Sequence, residues 1–347
     1  MRRFIIYFRL AMVALAAAVR RLFRGPKRPG WTFRFEILVA VLRAAIALSG
    51  LQAFSGRSAN GTSRRRRLST RVPRSIAPEL TLESTTFAGL PVDIHTPRSW
   101  TLGGPTILYL HGGGYVSCSP GTHRELVARI AFACGARCIV PDYRLAPLHP
   151  FPAAIDDAVS AYHALLAEGV DPSTLFLAGD SAGGGLSMAT LLSLRDAGAP
   201  LPRAAVLLSP WVDLAGTSET MLTNRVYDYL GGDTVAAAKL YAKDADLSHP
   251  LVSPVYAELA GLPPLLVQSG DSEILFAENQ LLVERARAAG VQVQHEVEPG
   301  MVHVFQCFAA VSPQGRAAIV SIGRFVRSLA GTSVAGAERA VAAAVSS

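Results

Sequence analysis

The chain has 347 residues, half of them hydrophobic, and a formal net charge of +7. This length and apolar content allow a full buried core, and the 30 Gly and 22 Pro follow no fixed period, which excludes collagen-like, low-complexity and repeat architectures. Residues 1–74 carry 17 Lys and Arg against one acid, Glu36, whereas the remaining 273 residues carry 16 against 25. Because long apolar runs interrupt this basic extension, an anionic membrane surface is a better partner for it than a nucleic acid.

Residues 1–30 predict a basic amphipathic N-terminal helix. Its apolar stretch is interrupted by arginine and shorter than the ~20 residues that span a bilayer, which disfavours a cleaved signal peptide. At about 100° per residue, one sector of residues 1–24 holds Arg2, Arg3, Arg9, Arg20, Arg21 and Arg24. Two arrangements stay open. The helix lies in a membrane interface, making the protein peripherally membrane-associated, or it packs on the body with its arginines in water and the protein is cytoplasmic.

Residues 31–79 predict a second helix followed by an arginine-rich linker. The run WTFRFEILVAVLRAAIALSG (31–50) has helical character and ends at Gly50. Residues 55–74 are polar, and their Arg64–Arg67 run fits a solvated or lipid-facing loop. At the other end of the chain, the Ala- and Ser-rich residues 331–347 indicate a loosely held tail.

Residues 80–330 alternate between strand and helix patterns. TTFAGLPVDIHTP predicts a hairpin, and VQVQHEVE alternates as a strand does. Short apolar runs typical of parallel strands buried on both faces are TILYL, CIVPDY, LFLAG, AAVLLS and LLVQSG. Helical stretches of crossover length between them are Arg124–Ala133, Ala153–Glu168, Gly184–Ala197 and Glu278–Gly290. The pattern predicts a doubly wound α/β domain with a mostly parallel central sheet and helices on both faces.

A candidate nucleophile, Ser181, lies in the sequence GDSAG, between the apolar run LFLAG and a helical stretch. In this context a G-x-S-x-G pentapeptide holds serine on a tight strand-to-helix turn, where small neighbours let its hydroxyl project. The pentapeptide by itself also fits an ordinary glycine-rich bend.

A glycine loop, LHGGGY at residues 110–115, follows the strand TILYL. Backbone N–H groups in such a loop can approach an oxyanion closely because glycine has no Cβ. We expect an oxyanion hole formed by Gly113, Gly114 and Ala182, with Gly112 shaping the turn. A phosphate-binding loop is disfavoured because neither G-x-G-x-x-G nor P-loop spacing is present.

A serine nucleophile needs a base and an orienting acid, and in this chain order both follow the serine. Asp271 directly follows the strand LLVQSG, and His303 lies just beyond VQVQHEVE. Both therefore lie at carboxyl ends of strands, where open α/β sheets place their sites. Rivals for these roles are His249 in the predicted insert, His295 within a strand, and Glu273 and Glu278 on the following loop or helix.

Taken in order, these motifs resemble the hormone-sensitive-lipase-like branch of the α/β-hydrolases, which includes many bacterial carboxylesterases. The similarity covers roughly residues 80–328. It rests on HGGG, DYRLAP (142–147), HPFPAAIDD (149–157), GDSAGG (179–184), SPWVDL (209–214), the Asp271 loop and GMVHVF (300–305). The resemblance implies an α/β-hydrolase fold with Ser181 as nucleophile, His303 as base and then acid, and Asp271 as orienting acid.

The resemblance also implies a helical cap made by helix Phe33–Ala53 and an insert at about residues 215–250. Two positions depart from the family pattern. Leu148 replaces a glutamate, which predicts the loss of an ion pair near Arg144, and Val304 replaces a glycine, which predicts crowding of the loop that bears His303.

The function expected from the sequence is a serine carboxylester hydrolase, lipase-like, that cleaves short- to medium-chain acyl esters through an acyl-enzyme. No metal or organic cofactor is implied, and the oligomeric state is left open. A lactone or amide hydrolase would use the same residues. A non-catalytic ligand receptor on this fold, like the plant gibberellin receptors, is disfavoured because His303 is retained.

Overall fold

An eight-stranded sheet forms the centre of the computed structural model, which describes residues 2–49, 69–230 and 234–331. Its strands are β1 (Leu80–Phe87), β2 (Leu90–Pro97), β3 (Thr106–Leu110), β4 (Arg137–Pro141), β5 (Leu175–Asp180), β6 (Ala204–Leu208), β7 (Leu265–Gly270) and β8 (Val293–Glu298). They lie in the order β1-β2-β4-β3-β5-β6-β7-β8. Strand β2 is antiparallel to β1 and β4, and all other neighbours are parallel. The expected mostly parallel α/β sheet is thereby confirmed.

Helices pack on both faces of this sheet and beside it. They are α1 (Arg2–Arg24), α2 (Phe33–Ser49), α3 (Pro120–Cys134), α4 (Ala153–Ala167), α5 (Ala182–Asp196), α6 (Thr220–Thr223), α7 (Thr234–Ala242), α8 (Phe276–Ala288) and α9 (Pro313–Leu329). Because side chains alternate along a strand, Leu108 and Leu110 of β3 join one core with α4, α5 and α8. Ile107 and Tyr109 join the opposite core with α3 and α9.

The predicted strands and crossover helices match these bounds to within two residues, except that β1 and α3 begin earlier than predicted. Helix α3 begins at Pro120 rather than at residue 124, because Ser119 and Thr122 form a reciprocal capping box. Helix α5 begins at Ala182, immediately after the predicted nucleophile. The segment between β6 and β7 contains α6 and α7, within the stretch expected to be an insert.

Helix α2 packs on the loop that carries His303. Trp31 and Phe35 are buried in one cluster with Met301 and Phe305. The Trp31 indole N–H also donates a 2.6 Å hydrogen bond to the Gly300 carbonyl. The N-terminal region is therefore attached to the body next to the predicted base.

Helix α1 packs against α2 with part of its basic face inward. Arg20 and Arg21 both pair with the buried carboxylate of Glu36 on α2. A helix packed on the body was expected to keep its arginines in water. For Arg20 and Arg21 this was wrong, because both form ion pairs with Glu36 on the inner side of α1. The apolar face is left exposed, and its large side chains are Phe8, Met12, Leu15, Val19, Leu22 and Phe23. We call these six residues the α1 stripe.

Several predictions fall outside the described residues. The end of the second helix at Gly50 and Ala53, the Arg64–Arg67 run and residues 332–347 of the tail are among them. Over the ranges that are described, no helix combines the length and the apolar content needed to cross a bilayer.

Candidate active site

Ser181 occupies a strained turn between β5 and α5. Its backbone has φ of 55° and ψ of −123°, in a region that a non-glycine residue rarely adopts. The Ser181 amide donates to the Leu208 carbonyl, and the Ser181 carbonyl accepts from the Trp211 amide, each at 2.8 Å. The segment that follows β6 thus holds the turn. Strain of this kind persists where function requires it, which favours a nucleophile over an ordinary bend.

The glycines beside Ser181 leave no room for side chains. A Cβ at Gly183 would overlap the Leu110 carbonyl oxygen of β3, and one at Gly179 would overlap the Gly183 carbonyl. Glycine at both positions lets the first turn of α5 lie directly against the strand ends. The positive end of the α5 dipole is therefore adjacent to Ser181.

The glycine loop after β3 presents two free amides beside this turn. Gly113 and Gly114 have φ of 119° and 63°, and no hydrogen bond in the described part of the chain uses their N–H groups. The Ala182 amide, at the first position of α5, has no intrahelical acceptor. In contrast, the Gly112 amide donates to Asp180 Oδ1 at 3.1 Å. Gly112 therefore shapes the loop, and its N–H is not available to an oxyanion.

Asp180 ties that loop to the residue before the nucleophile. Besides the Gly112 amide, its carboxylate accepts the Tyr109 hydroxyl at 2.8 Å and contacts His123 Nε2 at 3.2 Å. Burial works to raise the pKa of Asp180, but the charge of His123 and these hydrogen bonds hold it below its usual value. His123 and Tyr109 were not predicted, since a buried histidine and tyrosine carry no motif of their own.

His303 lies beyond β8, as predicted, and is almost completely buried. Burial lowers the pKa of its imidazole to about 4, so the ring is neutral at physiological pH and able to accept a proton. No hydrogen bond joins Ser181 to His303 among the residues that the structure describes. In an unliganded site such a contact commonly tightens only when substrate binds.

The acidic partner nearest to His303 is Glu273. Its Oε2 lies 3.9 Å from His303 Nδ1, whereas the Asp271 carboxylate accepts from the Ser272 hydroxyl at 2.8 Å and the Gly300 amide at 2.7 Å. The structure thus brings Glu273, a rival in the sequence, to the position expected for Asp271. Asp271 instead joins the acid loop to the loop before His303. Burial raises the pKa of Glu273 well above its usual value.

Ser209 connects this acid to the histidine loop. Its hydroxyl donates to Glu273 Oε2 at 2.5 Å and accepts from the Val304 amide at 3.0 Å. Ser209 is the first residue of the SPWVDL motif, so the family pattern contained a signal for it. The motif alone did not reveal that its hydroxyl reaches two loops.

The other rivals are engaged elsewhere. Glu278 accepts from the Val212 and Asp213 amides, and His295 contacts Ser269 at 2.8 Å. His249 lies against the Phe151 ring. No hydrogen bond or ion pair in the described ranges joins any of these side chains to Ser181 or His303.

The structure shows how the chain accommodates the two departures from the family pattern, Leu148 and Val304. Leu148 is exposed, and the ion pair expected to be missing near Arg144 is supplied by Asp157 at 2.8 Å. Val304 has φ of 44°, a left-handed conformation that costs a β-branched residue about 1–2 kcal/mol. Its amide is held by Ser209, so the crowded loop keeps His303 in position.

Across the three described ranges, no group of three His, Cys, Asp or Glu side chains could hold a metal ion.

Comparison with known proteins identifies relatives of this arrangement. A family model described as the alpha/beta hydrolase fold matches residues 107–307. An acetyl-hydrolase of Streptomyces hygroscopicus is 42% identical over 270 residues, covering 75% of this chain and 90% of that protein. The solved structure of an esterase/lipase from an uncultured bacterium has a TM-score of 0.76 at 38% identity, covering 85% of this chain and 98% of its own.

A second solved structure, an esterase from the bacterial hormone-sensitive lipase family, is also 38% identical. Its TM-score is 0.73, and the similarity covers 93% of this chain and 98% of that one. This coverage is longer than residues 80–328, the range over which the sequence motifs are similar.

Proposed function

The chain belongs to the hormone-sensitive-lipase-like branch of the α/β-hydrolase family and is an ester-hydrolysing enzyme, and from this premise we propose that it works by a serine mechanism. Ser181 is the nucleophile, His303 the base and Glu273 the orienting acid. The observation that carries this proposal is the strained turn at Ser181, adjacent to the free amides of Gly113 and Gly114.

Acylation begins when Ser181 Oγ attacks the ester carbonyl carbon. Its proton passes to His303 Nε2 while the carbonyl oxygen becomes an oxyanion held by the amides of Gly113, Gly114 and Ala182. Each such donor is worth about 3 kcal/mol in the transition state. The imidazolium formed 3.9 Å from Glu273 favours ionisation of that carboxyl group, because an adjacent positive charge lowers a carboxyl pKa.

Collapse of the tetrahedral intermediate breaks the bond to the alcohol, which leaves with the proton from His303. The acyl group then remains on Ser181 Oγ. A water molecule attacks it and gives a proton to His303, and the released Ser181 takes that proton back. Carboxylic acid, alcohol and free enzyme result.

The acyl group is proposed to be short to medium in length. Support comes from the acetyl-hydrolase relative, whose name denotes the shortest common acyl group. With p-nitrophenyl esters from acetyl to dodecanoyl, we expect kcat/KM to peak between acetyl and octanoyl and to fall at least tenfold by dodecanoyl. A maximum at dodecanoyl would contradict the proposed range of acyl lengths. Hydrolysis of lactones or amides without hydrolysis of these esters would show that the enzyme cleaves a different type of bond.

The pH profile of kcat/KM should report the buried base. His303 must be neutral to accept a proton, and its pKa lies near 4, so activity should be lost as the pH falls through about 4. Enzyme held at each pH and assayed at pH 7 separates this titration from irreversible unfolding. An acid limb that abolishes activity near pH 6.5 would indicate a solvated histidine as the base.

We further propose that the α1 stripe lies in an anionic membrane interface. The exposed fractions of Phe23, Leu22 and Phe8 are 85%, 76% and 58%, and the stripe follows the i, i+3, i+4 spacing of one helix face. Exposed Arg9 and Arg24 flank it, and the 17 basic residues within positions 1–74 suit acidic headgroups. We also propose that α1 and α2, together with the segment between β6 and β7, form the helical cap over the site.

Co-sedimentation with phosphatidylglycerol-containing vesicles tests this location. Replacing Phe8, Leu15 and Phe23 together by serine should lower the bound fraction at least tenfold, because each loses apolar area buried in lipid. Leu102→Ser, at a side chain 95% exposed on the body, is the matched control and should bind like wild type. Equal binding of the triple variant and wild type would exclude the stripe as the anchor.

A further inference from the structure

Asp228 is a buried carboxylate that touches both loops of the acid–base pair. It lies after α6, in the segment between β6 and β7, and its side chain is fully buried. Its Oδ2 accepts from the Ile274 amide at 2.9 Å, and Oδ1 accepts from the Leu230 amide at 3.2 Å. The backbone N–H groups of His303 and Tyr229 also face this carboxylate and lower its pKa. Ile274 directly follows Glu273, so a single side chain bonds the backbone beside the acid and lies next to the backbone of the base.

Asn224 makes a second connection from the same segment. Its side-chain amide donates to the carbonyls of Asp271 and Glu273, both at 2.9 Å. The acid loop is thus held from the segment at three backbone groups, two carbonyls through Asn224 and one N–H through Asp228. Hydrogen bonds to an ionised acceptor are roughly twice as strong as those between neutral groups, which suits the Asp228 carboxylate to fixing a loop.

We infer that Asp228 is a positioning residue that sets the separation between Glu273 and His303, and that Asn224 supports it. The inference rests on the proposed serine mechanism and extends it to the segment between β6 and β7. An acceptor carboxylate suits this role because both of its oxygens can face N–H groups. Asparagine at 228 would turn an NH₂ toward the N–H groups that face one of the two oxygens, so at least one of these backbone contacts would be lost.

The N-terminal region holds this segment in place. The Arg43 guanidinium donates to the Val226 carbonyl at 2.8 Å, and the Lys27 ammonium donates to the same oxygen. The Arg28 guanidinium lies 4.0 Å from the centre of the Tyr227 ring. Tyr227 precedes Asp228, so the N-terminal region contacts the two residues immediately before the positioning residue.

Titration supports the same role. Burial raises the pKa of Asp228 to about 6, against the opposing effect of its backbone donors. The ionisable groups that face it are Glu273 and Tyr229. A proton on Asp228 removes acceptor capacity from one oxygen, so wild-type kcat should show a shoulder near pH 6, above the limb set by His303.

The test compares Asp228→Asn, Asn224→Ala and the control Asp244→Asn, whose side chain is 90% exposed on the same segment. Active sites are titrated with a fluorophosphonate, and p-nitrophenyl butyrate turnover is measured per titrated site between pH 4.5 and about 8. We expect kcat to fall roughly 10- to 100-fold in Asp228→Asn with KM within about threefold, and the shoulder near pH 6 to disappear. Asn224→Ala should lower kcat roughly 3- to 10-fold, and Asp244→Asn should match wild type.

The outcomes separate this inference from the mechanism on which it rests. If wild type is labelled at Ser181 and Asp228→Asn keeps wild-type kcat and the shoulder, the positioning role is wrong while the mechanism stands. If wild type hydrolyses the ester without labelling at Ser181, the proposed mechanism itself fails. Should Asp228→Asn not fold, Asn224→Ala decides, because the described hydrogen bonds of its half-buried side chain go to the acid loop, and an unchanged kcat there overturns the inference.

Discussion

Ser181→Ala should lower kcat for p-nitrophenyl butyrate by about 10⁴- to 10⁶-fold while the protein remains folded. Loss of a serine nucleophile removes the acylation step altogether, and losses of this size are typical of triad nucleophiles. Alanine fits the site because Ser181 donates no side-chain hydrogen bond in the described structure. Circular dichroism and the thermal midpoint should stay near the wild-type values, because alanine keeps the Cβ of serine and leaves the backbone turn unchanged.

Ser193→Ala provides the matched control for this loss. Ser193 lies on α5, twelve positions after Ser181, and its hydroxyl only donates back to the Ala189 carbonyl. Removing it should leave kcat within about twofold, since such i−4 bonds contribute little to a helix. Turnover by Ser181→Ala within tenfold of wild type would exclude Ser181 as the nucleophile.

The second large effect distinguishes the two acids of the loop after β7. Glu273→Gln should lower kcat by about 10²- to 10⁴-fold, because a neutral amide beside Nδ1 stabilises neither the imidazolium nor the correct tautomer. Asp271→Asn should cost less than about tenfold. Its carboxylate holds the Gly300 amide and the Ser272 hydroxyl rather than His303.

The activities of Asp271→Asn and Glu273→Gln identify the orienting acid whichever variant loses more activity. If Asp271→Asn is the inactive one and Glu273→Gln retains activity, the loop rearranges on substrate binding and the orienting acid is Asp271. If both lose more than 10²-fold, thermal unfolding tells a lost contact from a collapsed loop. We expect the thermal midpoint of Asp271→Asn to stay within a few degrees of the wild-type value.

Much of this architecture could be predicted because local patterns determine it. The apolar runs defined the parallel strands, and the order of HGGG, GDSAGG and GMVHVF predicted which strand ends would meet. Ser181 and His303 follow from that order alone. The orienting acid could not be chosen this way, since Asp271 and Glu273 are two residues apart on one loop, and backbone geometry decides which carboxylate turns toward His303.

Contacts between segments that are distant along the chain could not be predicted from the sequence. Nothing in the run from 224 to 228 indicates that Asn224 and Asp228 reach the acid loop, because the pairing joins residues nearly 50 positions apart. The N-terminal helix shows the same limit. Its arginine sector was visible in the sequence, but the pairing of Arg20 and Arg21 with Glu36, which leaves the α1 stripe exposed, depends on how α1 packs on α2.

Covalent labelling by a fluorophosphonate tests the central claim most directly, because the serine attacks its phosphorus as it would an ester carbonyl and the adduct is stable. Intact mass, peptide mapping and residual esterase activity are followed together. We expect one adduct per chain, located on Ser181, with activity falling in proportion to labelling and no adduct in Ser181→Ala. Full inactivation with the label elsewhere, or unchanged esterase activity in fully labelled protein, would contradict a mechanism that runs through Ser181.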